Sequence, residues 1–119
     1  MLGELTYKEW VVVAVFYSAV HYVEAALAME PTIEHTDTSM PNGFGSYHDW
    51  REYLVFQLFP LSAWKSYKKL LDQSKTARYL NTQRGQHLTI ALEDYFSDQN
   101  VRDFLQRDLR NVWQGVGFS

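Results

Sequence analysis

Two histidines, two arginines and a serine stand at spacings that could set imidazole beside guanidinium: His21 in the first apolar stretch, His48 with Arg51, and Ser74 with Arg78. If these groups converge, with Tyr17 and Tyr67 as neighbours, they would supply what metal-independent RNA cleavage needs. That is a base for the 2′-hydroxyl proton, an acid for the leaving oxygen, and fixed positive charge for the phosphorane. A structural network accounts for the same residues. In it His21 and Glu24 bond each other or Arg78, and buried polar groups set the register of a bundle without doing chemistry. The structural network is the favoured reading of the two.

Metal chemistry finds little support. The donors are His21, Glu24, His35, His48 and His87, and cysteine is absent. A ferritin-like di-iron site needs Glu-x-x-His pairs on two helices, whereas the single helical pair here reads His21-x-x-Glu24. Gly43 and Gly45 precede no Gly-Lys-Ser/Thr, so no phosphate loop is present either. Neither a metal nor a cofactor is expected. A second surface is basic: Lys65, Lys68, Lys69, Lys75 and Arg84, with Trp64 and Tyr79, could hold single-stranded RNA by charge and stacking. Residues 64–84 carry six basic side chains against Asp72 alone, although the whole chain has a net charge of −3. A solvated helix face whose aromatics turn to the core explains that stretch with fewer assumptions.

The elements that must position these groups read as helices. Residues 6–29 run unbroken to Pro31, Thr6 and Glu9 have capping-box spacing, and the second half is rich in alanine. From Trp10 to Val20 this helix is apolar on nearly every side, so it is central in a bundle or shared with a second subunit, and His21 and Glu24 are expected in its buried part. Its length would suit a membrane span, but Ser18, His21 and Glu24 lie inside the segment and no basic cluster flanks it, so no membrane is expected. Residues 30–46, with two prolines and two glycines, form a long loop fit for a flap or tether. Ser46 and Asp49 open a second helix over 47–58, with Trp50, Leu54, Val55 and Leu58 inward. Pro60 starts a third over 61–80, whose inward line is Trp64, Tyr67, Leu70, Leu71, Ser74 and Arg78. After a turn at 81–86, a fourth helix spans about 87–96. A fifth, capped by Ser97 or Asp98, reaches Trp113 with Val101, Leu105, Leu109, Val112 and Trp113 inward, and 114–119 is a tail.

With 119 residues, the chain is expected to be one all-α domain, a four- to five-helix bundle around a long buried N-terminal helix. Absence of cysteine and of a signal pattern fits the cytoplasm. Phe16-Tyr-Ser-Ala-Val-His-Tyr-Val-Glu-Ala-Ala-Leu27, His48-Asp-Trp-Arg51 and Tyr67-Lys-Lys-Leu-Leu-Asp-Gln-Ser-Lys-Thr-Ala-Arg-Tyr79 resemble blocks of the HEPN-like helical domains (higher eukaryotes and prokaryotes nucleotide-binding). The resemblance implies an all-α fold and a homodimer. It also implies a setting of defence or toxin–antitoxin systems, with RNA or a partner such as a nucleotidyltransferase. Active members of that family are metal-independent ribonucleases marked by Arg, four to six residues, then His. No arginine here is followed by histidine at that spacing, so the resemblance carries over the fold, the dimer and a polar site, but not the catalytic pair. The function expected first is an interaction or nucleic-acid-associated module without standard catalysis. The alternatives are a ribonuclease using His21, His48, Arg51 and Arg78, and a small-ligand-binding domain with loop 30–46 as lid.

Overall fold

The computed structural model describes residues 7–30, 40–84 and 96–117. The chain forms α1 (Tyr7–Ala28), α2 (Tyr47–Leu58), α3 (Leu61–Arg84) and a last rod made of α4 (Asp98–Asp103), a π-helical segment (Phe104–Leu109) and α5 (Arg110–Gly115) without a break. No strand occurs among the described residues, and the protein is an all-α bundle. Thr6, residues 87–95 of the helix expected over about 87–96, and residues 31–39 of the long loop lie outside the described residues.

α1 packs on α3 and on the last rod. Its buried line, Val12, Val15, Phe16, Ala19, Val23 and Leu27, recurs at three- and four-residue steps as one face of a helix must. By length and composition alone α1 could cross a membrane, but here that line lies inside the bundle. The face opposite is uncovered, and this corrects the expected burial of the polar positions: His21 is exposed and Glu24 half-buried.

Ser46 caps α2, its hydroxyl accepting from the Asp49 N–H at 3.2 Å. Pro60 lacks the N–H that a continuing helix would need, and the chain is extended at Phe59 before α3 begins. Trp50, Leu54 and Val55 face inward, whereas Leu58, the last residue of α2, is exposed. α3 continues through Asn81-Thr-Gln-Arg84, four positions beyond its expected end. Tyr67, Leu70 and Ser74 occupy its buried line, but Arg78 falls on the exposed side.

The last rod begins with a full capping box, Ser97 Oγ accepting from Asn100 N–H at 3.0 Å and Asn100 Oδ1 from Ser97 N–H at 3.2 Å. Its buried row is not the expected one. Val112 is buried as expected, but Leu105 and Trp113 are exposed, and Phe104, Asp108 and Val116 are buried in their place. In a regular α-helix a row taken every fourth residue drifts about 40° per step. The wider i→i+5 turns of residues 104–109 take back part of that drift and keep the row on one side. They also turn the Asp108 carboxylate onto α3, where it accepts from Ser66 Oγ at 3.0 Å while Asn111 donates to Ser66 at 3.1 Å. Val116 is buried and Gly115 ends the helix, so the tail starts later than position 114.

Two substitutions probe this packing. A Cβ on Gly115 would collide with that of Ala63. Gly115→Ala is therefore expected to destabilise the protein by about 1–3 kcal/mol, read as a lower urea midpoint. Ser74 is fully buried and its hydroxyl has no hydrogen-bond partner among the described residues. Ser74→Ala should therefore raise the melting temperature, with a gain on the order of 1 kcal/mol from the orphaned hydroxyl removed.

Candidate functional site

Three helices bring their polar residues to one cleft of ≈ 320 Å³. α1 supplies Phe16, Tyr17 and Val20; the start of α2 supplies His48, Asp49, Arg51 and Glu52 after Ser46; α3 supplies Tyr67, Leu71, Lys75 and Arg78. The wall is mixed: Phe16, Val20 and Leu71 are apolar, and the charged groups come from α2 and α3.

Arg51 organises the α2 side. Its guanidinium is buried, with Nε 2.8 Å from Glu24 Oε2 on α1 and Nη1 3.1 Å from His48 Nδ1 one helical turn back. The Tyr47 hydroxyl donates to the same Glu24 carboxylate at 3.0–3.1 Å, and its ring lies 5.2 Å beneath the guanidinium carbon. Burial acts to lower the Arg51 pKa, but the bond to Glu24, the neighbouring Tyr67 and the charge of Glu24 outweigh it, and the net shift is upward. Burial pushes the Tyr67 phenol up as well, with the Arg51 guanidinium pulling part of the way back.

On the α3 side, Arg78 Nη1 donates to the Tyr17 hydroxyl at 3.3 Å. Lys75 lines the cleft and makes no ion pair among the described residues. His48, Arg51 and Arg78 thus share one cavity, as convergence of their helix faces requires. His21 and Ser74 do not join them. His21 stands on the exposed stripe of α1, and Ser74 is sealed under α3 with no access to the cleft.

The basic surface is dispersed. Lys68 bridges Glu52 at 3.2 Å and Asp72 at 3.3 Å, while Lys69 lies 3.7 Å from Asp108 and over the Phe104 ring. Lys65 is exposed, and the Arg84 side chain lies outside the described residues. A second depression, lined by Lys69, Gln73, Asn100, Asp103, Phe104 and Arg107, has its cations matched to Asp103 and Asp108. Among the described residues no group of three His, Asp or Glu side chains could hold a metal ion, and His35 and His87 lie outside them.

The sequence reading missed Tyr47, Asp49 and Glu52 as part of the site. Tyr47 had a signal, one position past the Ser46 cap and so beside His48. The Tyr47–Glu24 contact had none, because it joins two helices across 23 positions.

Removing Arg51 withdraws the charged donor from Glu24 and the partner from His48, so Arg51→Ala should lower stability by about 1–3 kcal/mol in urea unfolding. Lys75→Ala should leave it within about 0.5 kcal/mol. Alkali offers a further check. A folded-state pKa raised at Tyr67 means that the unfolded chain loses its phenolic proton first, so stability should fall as pH rises above about 10. That fall should be smaller in Tyr67→Phe, measured by urea midpoints at pH 9 and above. Comparison of the chain with family models, curated proteins and solved structures gives no match.

Proposed function

We propose that the chain is a HEPN-like binding module without standard catalysis, and that its cleft receives an anionic group, phosphate or carboxylate, carried on a ligand or partner with an apolar body. The observation that carries this reading is the contact between Arg51 and His48. Arginine only donates, so His48 Nδ1 accepts, and a neutral imidazole then keeps its one proton on Nε2. In that state His48 offers a ligand an N–H and offers a reacting hydroxyl no lone pair. The other imidazole candidate, His21, does not line the cleft, which leaves the ribonuclease reading without its imidazole base.

Positive charge supports the binding half of the proposal. Lys75 has no ion pair among the described residues, and it lines the cleft together with Arg78, one turn further along α3. The Phe16, Val20 and Leu71 wall suits an apolar body, and the volume is at the low end for small-ligand sites. A broad RNA surface over residues 64–84 is less well supported, because Lys68 and Lys69 are engaged by Glu52, Asp72 and Asp108.

Phenyl phosphate, which has both an anion and a ring, is the probe of choice in an NMR titration of the amide resonances. Shifts confined to His48, Lys75, Arg78 and Tyr17 are expected, with affinity at least tenfold weaker, or about 1.4 kcal/mol, in the Lys75→Ala/Arg78→Ala double variant. Scattered shifts, or affinity indifferent to both substitutions, would sink the cleft as an anion site. Single-stranded RNA should remain intact with the protein in EDTA. Cleavage that disappears in His48→Ala would overturn the non-catalytic part.

A further inference from the structure

A notch of ≈ 310 Å³ lies where α2 meets the first turn of α3, lined by Asp49, Glu52, Tyr53, Phe56 and Trp64. The first four stand at i, i+3, i+4 and i+7, so α2 presents them on one face, and the short break before Pro60 brings Trp64 of α3 against them. Trp64 is itself packed on the core, and its ring meets that of Phe56 edge-on, with 5.4 Å between centroids and 71° between planes. The two rings therefore make walls close to perpendicular. Tyr53 supplies a third, and Phe44, which does not line the notch, packs on the Tyr53 ring at 5.3 Å.

The charge at this notch is of one sign. Among the described residues no Lys, Arg or His lines it, while two carboxylates do. Lys68 pairs with Glu52 at 3.2 Å, and Asp49 makes no ion pair among the described residues. A negative charge thus stands beside three aromatic rings, of which Tyr53 is 46% and Phe56 52% exposed.

We infer that the notch binds the alkylated ammonium group of a small organic cation of the trimethylammonium class. The faces of Trp, Tyr and Phe rings attract a cation through their quadrupole, and a carboxylate at the edge adds a full charge to that attraction. A bare ammonium is a poor occupant, because it is strongly hydrated and needs acceptors for its N–H groups, which ring faces do not replace. A trimethylated nitrogen has no N–H to satisfy and carries its charge on an apolar surface that the rings can cover. Area decides against a protein partner. At about 200 Å² for each ring, the exposed parts of Tyr53 and Phe56 come to roughly 200 Å², well short of the roughly 800 Å² that each side of a standard protein interface buries. Asp49 and Glu52 line the anion cleft as well, so the two sites adjoin, but cation binding here requires nothing of Lys75 or Arg78.

The test titrates the full chain with choline and with its neutral isostere, in which a tert-butyl group replaces trimethylammonium, and follows the amide and indole resonances. Choline should give saturable shifts at Asp49, Glu52, Tyr53, Phe56 and Trp64, and the isostere should bind about tenfold more weakly. Phe56→Ala and Asp49→Asn, both at exposed positions, should each weaken choline about three- to fivefold with unchanged helical circular dichroism. Equal binding of the two ligands would make the notch an apolar patch and overturn the proposal. So would shifts no larger than those from sodium chloride at the same ionic strength, or an affinity indifferent to both substitutions.

Discussion

Glu24 is the carboxylate on which the placement of α2 depends. α2 packs mainly on α3, and Arg51 and Tyr47 attach it to α1 through hydrogen bonds to that one side chain. Taking a guanidinium out of water is costly unless an anion and hydrogen bonds replace the solvent. Glu24 meets that requirement for Arg51, and the stacked Tyr47 ring covers the guanidinium face. From this follow the orientation of His48, whose Nδ1 answers an Arg51 N–H, and the cleft that opens between α1, α2 and α3.

The bundle handles a second polar anchor in a comparable way at its other end. Asp108 would be a liability in the apolar row of the last rod. The π turns that carry it inward also bring it to Ser66, Lys69 and Arg107, so the carboxylate is satisfied on both oxygens. Glu24 thus ties α1 to α2, and Asp108 ties the last rod to α3. Ser74 is the exception, a buried hydroxyl with no partner among the described residues. It lies away from the cleft and contributes nothing to it.

These anchors also shape what the protein does under the reading proposed above. A site whose histidine is held by an arginine, and whose arginine is held by a glutamate, is organised to present donors. Lys75 and Arg78 stand on the far wall, on α3, with the apolar side chains between. The uncovered face of α1, with Tyr7 and Trp10 exposed on it, lies outside the core line of that helix. One helix therefore serves the core with one face and the cleft with its edge.

The local features were legible in the sequence because they depend on neighbours a few positions away. Helix class, the Ser46 and Ser97 caps, the break at Pro60 and the pairing of His48 with Arg51 all follow from spacing within one or two turns. The surplus of apolar surface on α1 was legible too, since no single layer can cover a helix apolar on every side. What spacing could not reveal was which face would be covered. His21 and Glu24 sit three positions apart, yet one is exposed and the other bonded to α2, because only the packing of α3 and the last rod decides where the core lies. The lysines of α3 looked like a patch in sequence and are scattered in space, since their acidic partners Glu52 and Asp108 come from other helices. The buried row of the last rod moved for the same kind of reason. A few wide turns changed the helical period, and a period fixed by tertiary contacts is not written in the residues that follow it.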